Sequence, residues 1–187
     1  MRKQLIGLAV SIGLVATSIN VLAEETFFDW VSTFSRMKEV KPVDNEVYVE
    51  ECGSCHFAYP PGLHTSESWS KLLNEKALAD HFGENAELDE DTLSLLNTYV
   101  LENAAEKSYF KRSRKITRAA ETMDSAPLRI TENQYIKRKH HEIPDKVMKG
   151  NPDVMSHSNC NACHTKADEG IFDDDTVDIP NYPDWDD

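Results

Sequence analysis

The stretch ECGSCHFAYPPGLH, residues 51–64, decides the fold. Cys52 and Cys55 stand two residues apart, His56 follows at once, and an aromatic, proline-rich run ends at a second histidine, His64. The pattern recurs as NCNACH over residues 159–164, so Cys52, Cys55, Cys160 and Cys163 are all 4 cysteines of the 187-residue chain. His56 and His164 each follow the second cysteine of a pair. With 7 histidines in 187 residues, both landing there by chance has a probability of roughly one in 700.

Three chemistries use paired cysteines. A disulfide framework has no use for the trailing histidine, and the chain is long enough to fold without one. A four-sulfur zinc site brings its two pairs within some 15 to 20 residues of each other, whereas these lie more than 100 apart, and the histidines again stand idle. Covalent haem attachment uses every residue of both motifs: the thiols become thioethers on the haem vinyl groups, and the adjacent histidine ligates iron. Two haems also suit a modest aliphatic content, because each macrocycle brings a broad apolar face for side chains to pack against.

The sixth iron ligand separates electron carriers from haem enzymes, since an open position admits small ligands. The remaining candidates are His64, His81, His140, His141 and His157, with Met37, Met123, Met148 and Met155 as thioether alternatives. Trp69, Leu72, Leu73, Ala77 and His81 recur at helical spacing and predict one helix over about 68–82, stopped by Gly83. That places His81 on the face that would cover a haem. A second helix is expected to start at Asp89 and to bury Leu93, Leu96, Val100 and Ala104, with Leu88 and Leu93 as a staple. In ITENQYIKRKHHEIP, Thr131 and Gln134 form a capping-box pair, and Ile136 and His140 share a helical face from which His141 is rotated by about 100°. The pattern favours His140 over His141 as a ligand without excluding either. His157 stands only three residues before Cys160, too close to cross to the far side of a haem.

The N-terminus, MRKQLIGLAVSIGLVATSINVLAEE, has a basic start, an apolar run and a small-residue exit, and reads as a signal peptide over residues 1–23. The apolar run is shorter than the roughly 20 residues that span a bilayer, so no membrane anchor is expected. Loss of Arg2 and Lys3 takes the basic count from 20 to 18 against 33 acids, a mature charge of about −15. Such a charge disfavours nucleic acid. KSYFKRSRKITR, residues 107–118, holds six bases and no acid, whereas residues 168–187 hold nine acids and no base. Each reads as a solvated face. Functionally, the first would bridge to haem propionates through Arg112 or Arg114, and the second would steer a cationic partner.

CGSCHFAYPPGL, LADHFGENAELD, RITENQYIKRKHHEI, NCNACH and GIFDDDTVDIP, in that order over residues 48–182, resemble the dihaem cytochrome c family of exported bacterial electron-transfer proteins. The resemblance implies a mainly α fold with substantial irregular loop and two small haem-centred lobes, 24–106 and 107–187. The first lobe would be similar to a small monohaem cytochrome c, and the second would end in the acidic tail. It implies two low-spin haem c groups with His56 and His81, and His164 and His140, as iron ligands. A periplasmic location is expected, with a small monohaem cytochrome and a b-type membrane cytochrome as redox partners. The competing expectation is a small haem enzyme of peroxidase or nitrogen-oxide reductase type with one labile or open haem.

Overall fold

Side-chain caps cut the chain into short helices. The computed structural model describes residues 38–183 and residue 185, so the signal peptide expected over 1–23 lies outside the described residues. Asn45, Thr65, Asn74, Asp89 and Asn133 each accept a hydrogen bond from a backbone N–H in the first turn of a helix. The helices are α1 (Glu46–Gly53), α2 (Ser66–Leu72), α3 (Glu75–Leu78), α4 (Glu90–Glu102), α5 (Lys111–Ala120), α6 (Gln134–Lys139) and α7 (Cys160–Cys163). Short 3-10 turns and extended loop fill the rest. Among the described residues, β-pairing is limited to two isolated bridges, His81 with Glu84 and His164 with Val177.

The expected mainly α fold with irregular loop is present, and two helix expectations need correction. The single helix predicted over 68–82 is two. α2 ends at Leu72, Leu73 leaves helical geometry, and Asn74 turns its side chain onto the Ala77 N–H to start α3. An internal Asn competes with the backbone ladder for hydrogen bonds and here wins. Farther on, Thr131 does not cap α6: it sits inside a 3-10 turn, Ile130–Glu132, and Asn133 is the cap. The helix starting at Asp89 stands as read, with Leu96, Val100 and Ala104 fully buried and Leu88 and Leu93 packed beside them.

Two apolar clusters hold these pieces. One lies within the first half: Tyr48 of α1, Trp69 and Leu72 of α2, Leu78 of α3, and Leu96 and Val100 of α4. The other mixes distant segments, joining Val40, Leu63 and Ala105 to Ile116 of α5, Tyr135 of α6, Ala167 and Phe172. Residues from Lys38 onward pack as one unit.

At the second cluster residues 39–40 are locked against the segment around Gly170. The N–H groups of Glu39 and Val40 both donate to the Gly170 carbonyl, at 2.8 and 3.2 Å. Gly170 has φ of 76°, and a Cβ there would lie 2.4 Å from the Val40 carbonyl oxygen, so only glycine fits. Beside it the buried Arg112 guanidinium is ion-paired with Glu39, and it donates to the Phe172 carbonyl at 2.8 Å and to the Tyr135 hydroxyl at 3.2 Å.

Removing one partner of a buried pair leaves the other charge uncompensated. Glu39→Ala is expected to cost about 3 kcal/mol in denaturant unfolding. Glu67→Ala, which breaks the exposed pair with Lys71, is expected to cost less than about 1 kcal/mol.

Candidate functional site

Each C-x-x-C-H motif sits at the end of a short helix. α1 carries Cys52, and Cys55 and His56 follow its C-terminus; α7 spans Cys160–Cys163, with His164 as its cap. No disulfide joins any of the four cysteines.

At the first motif, His56 and His81 stand with ring centres 6.4 Å apart and planes 24° from parallel. His81 does not arrive on a helix. It occupies a turn after α3, where its N–H donates to the Glu84 carbonyl at 2.7 Å and where Phe82 and Gly83 both have positive φ. At the second motif, His164 and His140 have ring centres 6.1 Å apart and planes at 81°. His140 caps the C-terminus of α6. Two imidazoles that share one iron from opposite sides need facing nitrogens about 4 Å apart, and ring centres about 6 Å apart, by analogy with metal–imidazole bonds of about 2 Å. Both pairs have ring centres at about that separation.

The nitrogens are prepared for such a role. Nδ1–H of His56 donates to the Phe57 carbonyl at 2.8 Å, and Nδ1–H of His140 donates to the Ile136 carbonyl at 2.9 Å. Each bond fixes the tautomer that leaves Nε2 its lone pair. His81 and His164 keep a buried Nδ1 with no partner among the described residues, a cost that packing alone does not account for. Burial, followed by the neighbouring histidine, lowers the pKa of His81 and takes His164 down to about 4. Neutral imidazole is the ligating form.

The second pair opens onto a cavity of about 270 Å³. Its walls include Cys160 and Cys163 with Ile136, Val147, Val154 and Ile179. Thiols, paired imidazoles and an apolar wall are the donor set and surface that a covalently held macrocycle needs. Met148 also lines this cavity, is buried, and takes no part in either histidine pair.

The other histidines fall elsewhere. His64 is 2% exposed, packs edge-on to Trp69 and bonds the Leu128 carbonyl at 3.1 Å through Nε2, which makes it a core residue. His141 is exposed beside Glu142. His157 does come near, with its ring centre 6.1 Å from His140, although it precedes Cys160 so closely. Arg112 lines the cavity, yet its guanidinium is taken by Glu39 rather than left free for a propionate.

Sequence pattern misses two residues that brace the sites. Tyr59 stacks on His56, ring centres 5.0 Å apart, and its hydroxyl donates to the Ser158 carbonyl at 2.5 Å, joining the first motif to the approach of the second. Arg129 lies over the Phe82 ring at 3.8 Å and pins the His81 turn. Both contacts link residues far apart in sequence, so no local periodicity announces them.

His64 yields a pH prediction. Burial holds its pKa down at about 4, against 6.5 when unfolded, so between these values the unfolded chain binds a proton that the native one refuses. Stability from this group is complete above pH 6.5 and falls, by roughly 3 kcal/mol at most, as pH drops towards 4. Urea unfolding across that range should show the loss, and His64→Gln should flatten it.

Comparisons with known proteins place the chain in a family. A family model described as dihaem cytochrome c matches residues 48–172. The chain is 37% identical to a diheme cytochrome type c from Shewanella baltica OS155, covering 76% of this chain and 98% of that one with a TM-score of 0.61. A diheme cytochrome c from Rhodobacter sphaeroides is 36% identical, with 71% of this chain and all of that one covered, at a TM-score of 0.60. No curated protein matches. The chain belongs to the dihaem cytochrome c family and carries two c-type haems.

Proposed function

We propose that this protein is a periplasmic electron carrier whose two haems are each ligated by two histidines and therefore have low potential. The observation that carries this reading is that both motif histidines have a second imidazole at the spacing one iron requires, 6.4 Å at the first site and 6.1 Å at the second. Cys52 and Cys55 hold the first haem and Cys160 and Cys163 the second, each thiol adding across a vinyl group to give a thioether. His56 and His164 are the motif ligands; His81 and His140 close the opposite sides.

The bound haems supply one-electron chemistry between ferric and ferrous iron, at potentials set by axial ligands and surroundings. The protein supplies rigidity and neutral nitrogen. The Phe57 and Ile136 carbonyls orient His56 and His140, Tyr59 and Arg129 hold the first pair in place, and Ile136, Val147, Val154 and Ile179 give the second cavity an apolar wall. Filling both sides of each iron supports a carrier over the peroxidase or nitrogen-oxide reductase reading, which needs an open position. We assign the two haem-centred lobes to residues 24–106 and 107–187, a division for which the 3-10 turn Ala105–Lys107 offers a break in the helices. Redox partners are those the resemblance implies, a small monohaem cytochrome and a b-type membrane cytochrome. Among the described residues no helix is long and apolar enough to cross a membrane.

His81→Ala and His140→Ala should each convert one of the two haems to a high-spin, carbon-monoxide-binding form in absorption spectra. His141→Ala should leave the spectrum unchanged; a high-spin signal from that variant, with His140→Ala silent, would reverse the assignment. The ring planes, near parallel at the first site and near perpendicular at the second, give a further expectation. Electron paramagnetic resonance of the oxidised protein should show two distinct low-spin signals, the perpendicular pair having the more anisotropic one. His140→Ala should remove that one.

A further inference from the structure

Helix α5 divides its residues cleanly. Arg112, Ser113, Ile116 and Ala119 face the core. Lys111, Arg114, Lys115 and Arg118 occupy the opposite side at i, i+3, i+4 and i+7, a continuous stripe of positive charge on a chain of net charge −13. Lys111, Arg114 and Arg118 are exposed, and none of the four is in a salt bridge among the described residues.

The stripe works against the helix that carries it. Like charges three and four residues apart repel, and Lys111 in the first turn opposes the helix dipole. The 33 acids of the chain could relieve this, yet α5 carries none. Lys115 feels the crowding: desolvation comes first, then Lys111, Arg112 and Lys139 lower its pKa, which places the end of α6 within reach of the same field. Lys137 and Arg138 are also exposed on α6. Against this, Glu39 lies buried under Arg112, and Asp174 meets Lys139 at 3.5 Å.

An aromatic pair stands at the head of the stripe. Tyr109 is 82% exposed and stacks on Phe110, ring centres 4.5 Å apart, immediately before Lys111. An exposed tyrosine flanked by cations is the composition of a docking patch, with an apolar anchor and a charged rim. Lys115 lies over the Tyr135 ring of α6, 5.5 Å from its centre, and Lys139 at the end of α6 lines the second cavity, so the patch adjoins the His140–His164 site.

We infer that the α5 face with Tyr109 docks an acidic electron-transfer protein and brings it to the second haem. The inference rests on the carrier reading and deepens it by assigning a surface and a partner chemistry: carboxylates around a small apolar contact. It also assigns the basic run a task other than binding propionates. A patch of this kind acts through local field, against the repulsion expected from net charge, and its signature is therefore the sign of a salt dependence.

The test uses the reduced holoprotein and ferricyanide as an anionic probe, followed by stopped flow from low to high ionic strength. One electron leaves the ferrous protein and reduces ferricyanide to ferrocyanide, with no bond made or broken. The rate should fall as salt rises, although both reactants are negative overall. Lys111→Glu/Arg114→Glu should slow the low-salt rate by on the order of tenfold and reverse the slope. Lys71→Glu/Lys76→Glu, the same charge change on α2 and α3, should leave the sign of the slope as it is. A native rate that rises with salt, or a double variant indistinguishable from native, overturns the inference. So does salt-sensitive self-association in sedimentation, or binding to phosphatidylserine vesicles, that the double variant abolishes, because either gives the stripe another occupant. Unchanged visible spectra in both double variants separate these outcomes from failure of the carrier reading, which would appear as an open haem in the native protein.

Discussion

A single buried guanidinium organises the second half of this molecule. Arg112 leaves α5 into the core and binds three segments at once: Glu39, through both its guanidinium and its own backbone N–H, Tyr135 from α6, and Phe172 from the C-terminal region. A guanidinium has five donors in one plane and remains charged, so burying it requires acceptors from several directions. Those acceptors set the position of the functional groups. Tyr135 is followed by Ile136 of the cavity wall and, four residues on, by His140; Phe172 packs on His164 at 5.2 Å between ring centres. Gly170 then holds Glu39 and Val40 against the C-terminal region where a side chain would not fit.

The two sites reach the same spacing by different means. At the first, the partner histidine comes from a turn stretched over positive-φ residues and held from outside by Arg129 on Phe82. At the second it comes from a helix terminus whose last turn supplies the orienting carbonyl. Tyr59 links them by stacking on His56 and bonding Ser158, so a disturbance at one motif is passed to the approach of the other. The ring planes differ accordingly, and the environments with them: His56 is exposed, while His164 borders a cavity with an apolar wall. Unequal surroundings are what give two chemically identical cofactors different potentials.

Much of this was legible in the residues alone, where the signal is local. Two C-x-x-C-H motifs, the Asp89 cap and the Leu96–Val100 stripe follow from spacing, and Ile136–His140 periodicity favours, over His141, the histidine whose ring lies 6.1 Å from His164. Helical spacing also picks His81, but its premise fails: Asn74 breaks the helix, and the ring meets His56 from a turn. Contacts such as Tyr59 to Ser158, 99 residues apart, or Arg112 to Glu39, 73 apart, have no periodic signature, because tertiary packing alone creates them. Charge counting shows a basic run at 107–118; only the helix shows that four of its six cations share one face while Arg112 turns inward.

The central claim is that both irons are closed by histidine on both sides. The most direct measurement is the visible absorption spectrum of the reduced native protein before and after carbon monoxide. The account predicts two low-spin haems, no methionine-to-iron charge-transfer band when oxidised, and no change on adding the gas. Rapid carbon monoxide binding at either haem, or a methionine band, would contradict it.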